Sequence, residues 1–412
     1  MLSIYNKNLN ACPDNVAVMG GGRWARVLVE VLCGLVPPSV GISVHSPRNA
    51  GAMSVWVSER GLEQRIRVSS GWPNFSSGAS NAMIVANAAC DHEKAIEYAL
   101  AKGVPVLVEK PLTLNFAASR RLADLACSQN TYFAAAHVFL FARYVEAFSK
   151  IITDENSIQF IRVHWMDPLS ENRHGEAKSY DPGLSIYADW LPHIISTLGT
   201  LTSSQTQICE KLEFLRGGAH LKIDLQLGDI PCVVELVRNG NCRQRIIEVT
   251  TQQKKITLDF AREPGTIVSA ASVICGDSDW DIKPKPVAKM LEAFLQGAAG
   301  GIQDARLDIA IGLRSSQVID QTFPLYRAAL FPWLSKQILM LKDGDDSDFR
   351  YALSEIIYVE DPHSSVLIGQ RIDYACRRIK ELAISSLNAE LFDCPVEVIQ
   401  RILKQGKITS YL

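Results

Sequence analysis

The chain has 412 residues, of which 47% are hydrophobic and 21% are charged, and its formal net charge is −2. This length exceeds one ordinary hydrophobic core, so two domains with residues to spare are expected. The near-neutral charge argues against a nucleic-acid partner or an anionic membrane surface. No apolar run reaches the roughly 20 residues of a membrane-spanning helix. The ten cysteines are scattered without a C-x-x-C pair, which predicts reduced thiols in a cytoplasmic protein.

Short apolar strands alternate with amphipathic helices through the first third of the chain. Six strands are predicted, at residues 16–19, 40–45, 66–69, 82–87, 104–109 and 131–136. Residues that stop or cap helices lie between them: Pro37 after the first helix, Gly103 after the third, and Asn115 before the fourth. The pattern is typical of a doubly wound parallel sheet covered on both faces. We expect a Rossmann domain over residues 1–136.

After residue 137, strand-like runs follow one another without intervening helices. They include "LKIDLQL", "CVVELV" and "RIIEVTT", and "RNGN" at 238–241 is interpreted as a turn between strands. An α+β domain with a large, mostly antiparallel sheet is therefore predicted over residues 137–330. Two helical runs, 285–299 and 304–322, are expected to complete it.

Residues 331–412 are expected to form a helical extension. Apolar residues from Ile372 to Leu387 recur at helical spacing, which predicts one of its helices. The aspartate-rich segment 342–348 does not fit the spacing of a calcium loop and is interpreted as a solvated turn.

A glycine-rich turn follows the first predicted strand. Residues 20–25, "GGGRWA", fit the pattern G-x-G-x-x-A at the start of a helix. In such a turn Gly20 permits the tight bend, Gly22 admits a pyrophosphate, and Ala25 allows the helix to pack closely on the strand. The alternative is a purely structural glycine turn. The candidate cofactor contacts here are Gly20, Gly22, Arg23, Trp24 and Ala25.

The end of the second strand bears on the choice of nucleotide. NAD-binding Rossmann domains usually place an Asp or Glu there for the ribose hydroxyls. This chain has "SVHSPRN" instead, so Ser46 and Arg48 stand near that position. A hydroxyl and a guanidinium suit a 2′-phosphate, which predicts NADP(H) and, because that pool is mostly reduced in cells, a reductive direction. The alternative is two ordinary surface residues.

The fifth strand ends in Glu109-Lys110-Pro111, and "VEKPLTLN" resembles the E-K-P signature of the glucose–fructose oxidoreductase and inositol dehydrogenase family (Gfo/Idh/MocA). In that family an Ala-Thr-Pro turn and a histidine precede the signature. His92 matches the histidine, whereas Asn87 replaces the threonine. The resemblance spans roughly residues 15–325 and implies that Asn87, His92, Glu109 and Lys110 contact the cofactor.

In the second half, "DPGLSIYADWLPHIISTL" is similar to the family segment D-x-G-x-H. Asp189 and His193 fall at the expected places, although Leu191 replaces the glycine. Residues four apart lie on one face of a helix, so both side chains are expected to point into one crevice. Lys110 would reach that crevice because open α/β sheets bind ligands beyond the carboxyl ends of their strands.

The resemblance implies an NADP(H)-dependent oxidoreductase that transfers a hydride to or from a carbonyl or secondary alcohol of a sugar-like molecule. His193 would supply the proton, Lys110 would polarise the oxygen, and Asp189 would orient the histidine or hold substrate. No third ligand accompanies Asp189 and His193, so no metal is expected. Similar proteins form homodimers or homotetramers, and the same is expected here.

The segment "HVFLFARY" departs from the family pattern H-x-x-R-F-x-P, because Leu140 replaces the arginine and Arg143 the proline. The substrate is therefore expected to be less hydroxylated than a sugar. His137, Tyr180 and Tyr187 are candidate substrate contacts, with aromatic packing as the alternative for the two tyrosines.

Two other functions remain open at this stage. One is an NADPH-dependent imine reductase of natural-product or siderophore biosynthesis, because "GGGRWAR" is mildly similar to the glycine turn of thiazolinyl imine reductases. Those enzymes generally lack the E-K-P lysine. The other is a non-catalytic NADP-binding regulator, although such proteins tend to lose the lysine or the histidine that this chain keeps.

Overall fold

The computed structural model describes residues 11–153, 158–168, 171–173, 175–178, 184–202, 207–216, 220–270 and 272–340. Its first sheet has six strands: β1 (Asn15–Met19), β2 (Gly41–His45), β3 (Ile66–Ser69), β4 (Asn81–Val85), β5 (Val106–Glu109) and β6 (Phe133–Ala136). They pair in the order β3-β2-β1-β4-β5-β6, all parallel. This is the Rossmann order, whose ligand crevice opens where the strand order reverses beside β1. The six predicted strands and the predicted fold class are confirmed.

Four helices cover this sheet: α1 (Arg23–Leu35), α2 (Ala50–Glu59), α3 (His92–Ala101) and α4 (Phe116–Ser128). One face is buried under α1 and α2 and the other under α3 and α4. The predicted cap of α4 is present, because the Asn115 side-chain oxygen accepts a hydrogen bond from the Ala118 amide at 3.1 Å. Gly103 follows α3 with φ of +65°, a conformation that glycine adopts without strain.

The second sheet has eight strands: β7 (Ile158–Pro168), β10 (Gln207–Arg216), β11 (His220–Leu227), β12 (Ile230–Gly240), β13 (Gln244–Thr251), β14 (Lys255–Asp259), β15 (Thr266–Ser269) and β16 (Ser272–Cys275). Their order is β10-β11-β12-β7-β13-β14-β15-β16. Among the described pairs, β12 with β7 is parallel and the others are antiparallel. After β7 the chain forms a small hairpin of β8 (Asn172–Arg173) and β9 (Glu176–Ala177). The expected mostly antiparallel sheet is confirmed.

Helices α5 (Arg143–Thr153), α6 (Ile186–Leu198) and α8 (Ile309–Met340) pack their buried side chains against the second sheet. Helix α8 also contacts α4 and β6 of the first sheet. The two sheets are therefore joined through α8, and α6 lies beside the crevice between them.

Two elements differ from the sequence prediction. Helix α7 (Pro286–Ala298) was expected to complete the second domain, but Leu291 and Phe294 lie in the same core as β1 and α1. The sequence shows that this helix has an apolar face without showing which sheet that face covers. The segment 238–241 was interpreted as a turn, but β12 continues to Gly240, which pairs with Pro168 of β7 after a shift in register. Pairing with β7 outweighs the local turn preference of Asn-Gly.

The predicted helical run 304–322 begins with a 3-10 turn, and α8 continues without a break across residue 331. The predicted helix around Ile372 and the aspartate-rich segment 342–348 lie outside the described residues. Within the described part of the chain, no helix combines the length and apolar character that crossing a membrane requires.

Candidate active site

Lys110 and Asp189 bring the two halves of the chain together. Lys110 directly follows β5 at the carboxyl edge of the first sheet, and Asp189 lies in the first turn of α6. The lysine Nζ is 2.5 Å from Asp189 Oδ1 and 2.9 Å from the Asp189 backbone oxygen. Their side chains are 18% and 17% exposed, so the pair is largely shielded yet open to the crevice. The peptide bond between Lys110 and Pro111 is cis.

A third residue completes this ion pair. The Arg238 guanidinium, 1% exposed, donates to Asp189 Oδ2 at 3.2 Å. It is anchored by the backbone oxygen of Leu184, to which its Nη1 and Nη2 donate at 3.3 and 3.2 Å. Burial alone would raise the pKa of Asp189, but Lys110 and Arg238 hold it well below its ordinary value. Asp189 is therefore a carboxylate shared by two cations.

The interpretation of 238–241 as a turn concealed Arg238. One signal in the sequence could have revealed it. Cys232, Val234 and Leu236 alternate along β12 and are buried, and Arg238 continues that two-residue period on the same face. An arginine at the end of a buried strand face needs a carboxylate partner, and Asp189 is that partner here.

His193 lies one helical turn after Asp189. Its ring is parallel to Trp165, with centroids 6.1 Å apart and an angle of 11°, and nearly perpendicular to Phe139 at 5.0 Å. Burial, followed by the charge of Lys110, lowers the pKa of His193 well below its ordinary value. The imidazole is therefore neutral near pH 7. Its Nδ1 is buried, and among the described residues it has no hydrogen-bond partner, Asp189 included.

His137, which follows β6, is 2% exposed. Burial and the nearby charge of Lys110 lower its pKa to about 4. Its Nδ1 has no hydrogen-bond partner within the described part of the chain. His137 lines a small pocket together with Glu109, Lys110 and Pro192. The structure thus brings the predicted residues Lys110, His137, Asp189 and His193 into one neighbourhood.

The glycine turn has the shape that a dinucleotide requires. Gly20 has φ of +134°, and a Cβ there would lie 2.4 Å from the Ala86 oxygen at the end of β4. A Cβ on Gly22 would meet no atom within 4 Å, so the backbone at the start of α1 faces open space. Ala25 is fully buried against the sheet. Backbone amide groups at a helix N-terminus beside such an opening fit a pyrophosphate.

The predicted contacts Arg23 and Trp24 form the first turn of α1, where both are partly exposed. Asn87 follows β4 directly, and its Oδ1 is buried without a hydrogen-bond partner among the described residues. Glu109, 9% exposed at the end of β5, has its pKa raised by burial, against the opposing effects of Trp24 and Lys110. The unsatisfied Asn87 oxygen at the crevice fits a polar group of a bound cofactor.

His92, also a predicted cofactor contact, is buried beneath the crevice. Its side chain is 1% exposed, and its ring nitrogens lie 2.8 Å from the Pro111 oxygen and 3.2 Å from the Asn87 oxygen. Burial lowers its pKa. The imidazole therefore connects the backbone after Lys110 with the turn after β4, and it does not reach the surface of the crevice.

The two residues predicted to select the nucleotide lie just beyond β2. Ser46 is 5% exposed, and its Oγ accepts a hydrogen bond from the Asn49 amide at 3.1 Å. Arg48 forms an ion pair with Asp91, with Nη2 3.0 Å from Oδ2. Asp91, which precedes α3, was not among the predicted site residues.

The structure does not bring all the candidate substrate contacts to the crevice. Tyr187 is fully buried and packs on Tyr326, with ring centroids 4.6 Å apart, because its side of α6 faces the core of the second domain. Tyr180 lies outside the described residues. Arg143, which replaces a proline of the family pattern, forms an ion pair with Asp277 at 2.6 Å and so holds α5 to the segment after β16.

Residues 15–137 match the model of a family described as an oxidoreductase family with an NAD-binding Rossmann fold. No curated protein matches the chain in sequence.

Solved structures share the fold over about three quarters of the chain. One is the UDP-N-acetylglucosamine 3-dehydrogenase GnnA from Acidithiobacillus ferrooxidans, 16% identical, with a TM-score of 0.62 and coverage of 76% of this chain and 98% of that one. Another is KijD10, a 3-ketoreductase from Actinomadura kijaniata solved with NADP and TDP-benzene, 16% identical, with a TM-score of 0.60 and coverage of 75% and 96%. At this identity the likeness shows the fold alone. The resemblance seen in the sequence is nevertheless confirmed over residues 15–137, which match the Gfo/Idh/MocA family of oxidoreductases with its NAD-binding Rossmann fold.

Proposed function

We propose that this protein is an NADP(H)-dependent reductase that transfers a hydride to the carbonyl carbon of a sugar-like small molecule. The observation that carries the proposal is the 2.5 Å contact between Lys110 and Asp189, with His193 one turn farther along α6. It sets an ammonium, a carboxylate and an imidazole at the edge of the crevice that the glycine turn also borders. This arrangement of the three groups suits carbonyl reduction better than it suits a purely structural role.

The cofactor side of the proposal rests on the glycine turn, Asn87 and Glu109. The backbone at Gly22 and the N-terminus of α1 would hold the pyrophosphate, and Asn87 would offer its unpaired oxygen. When bound there, the nicotinamide supplies the hydride. Arg48 and Ser46 would recognise a 2′-phosphate, because a guanidinium offers paired donors to phosphate oxygens. KijD10 was solved with NADP, which supports the choice of nucleotide.

The proton is assigned to Lys110. During reduction the substrate oxygen gains negative charge, and an ammonium held by Asp189 can donate both a hydrogen bond and a proton to it. A neutral His193 suits two other tasks: it donates one N–H to the same oxygen, or it accepts the alcohol proton in the reverse direction. The resemblance implied that His193 supplies the proton, but its lowered pKa favours exchanging the two roles.

A cyclic imine is the second candidate substrate. Phe139 and Trp165 pack on His193 with ring centroids 5.0 and 6.1 Å from the imidazole, and Phe260 packs on both of them. A wall of rings favours a flat, weakly hydroxylated substrate, as Leu140 in place of an arginine also suggests. Lys110 favours the carbonyl, because the thiazolinyl imine reductases generally lack that lysine.

The proposal includes a reducing compartment and self-association. The eight cysteines of the described part form no disulfide, which suits the cytoplasm.

Val273 and Ile274 on the edge strand β16 are 69% and 44% exposed, and an exposed apolar edge strand favours pairing with another copy as a homodimer or homotetramer. Light scattering of the purified protein measures its mass in solution, and a strictly monomeric protein would remove this part.

The test is NADPH oxidation across ketosugars, nucleotide-linked ketosugars, keto acids and cyclic imines. Lys110→Met is expected to lower kcat by about 10²- to 10⁴-fold. Lys102→Met is the matched control, because Lys102 is an exposed lysine beyond α3. Turnover of a ketosugar that survives in both variants would remove Lys110 from the mechanism. Turnover of imines alone would select the second candidate.

A further inference from the structure

The Arg48–Asp91 ion pair crosses the glycine turn. Arg48 lies three residues beyond β2, and Asp91 lies between β4 and α3. A Cβ on Gly21 would meet Ser46 at 2.9 Å, and a Cβ on Gly20 would meet Ala86 at 2.4 Å, so the turn is packed between the ends of β2 and β4. A contact from Arg48 to Asp91 therefore runs from one side of the turn to the other.

This contact engages the guanidinium that is the natural partner of a 2′-phosphate. Arg48 Nη2 donates to Asp91 Oδ2 at 3.0 Å, and the side chains are 37% and 23% exposed. Both groups are thus accessible to a nucleotide entering from solvent. A carboxylate and a phosphate make the same kind of charge-assisted contact with a guanidinium, so the two anions compete for it.

We propose that Asp91 is a specificity-determining residue for the nucleotide. It competes with the 2′-phosphate for Arg48 and repels that phosphate by like charge, so it narrows the preference for NADP(H) over NAD(H). The inference rests on the proposed function, because it presumes that a dinucleotide binds along the glycine turn. NAD(H) has a ribose hydroxyl in place of the phosphate, so Arg48 keeps its contact with Asp91 when NAD(H) binds.

The size of the effect follows from the exposure of the pair. A partly exposed ion pair stabilises its geometry only modestly, so releasing Arg48 from it should change affinity by about threefold. The contribution from like-charge repulsion falls with added salt, because exposed charges are screened over about 10 Å at 0.1 M ionic strength. Both effects act on the 2′-phosphate, which NADH lacks, so they change the affinity for NADPH more than the affinity for NADH.

Isothermal titration calorimetry of NADPH and NADH, without substrate, tests the inference. Asp91→Asn is expected to lower the Kd of NADPH about threefold more than that of NADH. Arg48→Ala is expected to weaken NADPH, and adding Asp91→Asn to Arg48→Ala should recover less than the single substitution gains. Asp124→Asn is the matched control, because Asp124 forms an exposed ion pair with Arg120 on α4.

Each contrary result has a distinct meaning. An Asp91→Asn protein that folds normally by circular dichroism yet binds NADPH no more tightly than the wild type overturns the inference. An equal gain in Asp124→Asn also overturns it, because net charge alone would then explain the effect. A wild-type protein that binds neither dinucleotide overturns the proposed function itself. If NADPH binds no more tightly than NADH and Arg48→Ala changes neither Kd, the proposed preference for NADP(H) is wrong, and the inference about Asp91 is wrong too.

Discussion

Arg238 contacts the oxygen of Asp189 that Lys110 does not hold, so one carboxylate joins a residue at the end of β5 to a buried residue of β12. Lys110 follows a strand of the first sheet and Arg238 lies on a strand of the second, and Asp189 on α6 contacts both. This arrangement makes Asp189 a counterion whose loss affects both stability and the proposed chemistry.

Asp189→Asn should destabilise the protein. The substitution leaves Lys110 and the buried Arg238 without their shared negative charge, and breaking such a pair costs about 3 kcal/mol. Urea unfolding followed by circular dichroism measures the loss. Asp124→Asn, which removes one partner of an exposed pair, should change the free energy of unfolding by less than about 0.5 kcal/mol. Equal losses in the two variants would contradict the counterion role.

Acid should destabilise the protein through Asp167. Burial would raise the pKa of this carboxyl, but Arg245 and Lys178 more than offset burial and lower it to about 2. A carboxyl with a lowered pKa contributes stability that is fully present above its unfolded value of about 3.9 and is lost as the pH falls through the folded value. The free energy of unfolding should therefore fall between about pH 4 and pH 2.

The measurement is a set of urea titrations at pH values from 5 to 2. In Asp167→Asn the decline over this window should be shallower than in the wild type, because the variant has no carboxyl to protonate at this position. Asp124→Asn should keep the wild-type slope. An unchanged slope in Asp167→Asn would show that other carboxyls account for the acid transition.

His137 should change the free energy of unfolding over a higher pH range than Asp167 does. Its pKa falls to about 4 on folding, mainly through burial. The unfolded chain, with an ordinary value of about 6.5, binds more protons between these limits. Stability from the neutral imidazole is thus present above about pH 6.5 and is lost as the pH falls toward 4. His137→Gln should reduce this loss by up to about 3 kcal/mol, measured by urea unfolding at pH 7 and pH 4.5.

His220→Gln, at a partly exposed histidine of the second sheet, is the control for replacing a histidine by glutamine. If His137→Gln unfolds with the wild-type pH dependence, the imidazole is not buried in neutral form.

The sequence predicted one half of this site better than the other. The glycine turn, Lys110, Asp189 and His193 carry local patterns, and strand order then brings them together. Arg238 was missed because the turn preference of Asn-Gly concealed the end of its strand, and Asp91 was missed because it matters only through Arg48, a partner distant in the sequence. Tyr187 was a candidate substrate contact, but its side of α6 faces Tyr326 of α8, a contact that depends on how the two helices pack. The position of α7 was unpredictable for the same reason.

Trp165 should control the geometry of His193. Its ring is parallel to the imidazole. The guanidinium of Arg245 also packs on this indole, 4.4 Å from the ring centroid. Trp165→Leu removes this support, and because misplaced catalytic groups are costly, kcat should fall about ten- to hundredfold. Trp165→Phe keeps an aromatic face and should retain most of the activity, with KM nearly unchanged in both variants. Trp72→Leu, at a surface tryptophan that is 45% exposed, is the control. A folded Trp165→Leu enzyme with wild-type kcat would show that His193 holds its position without the indole. If KM rises while kcat stays at the wild-type value, Trp165 acts in substrate binding instead.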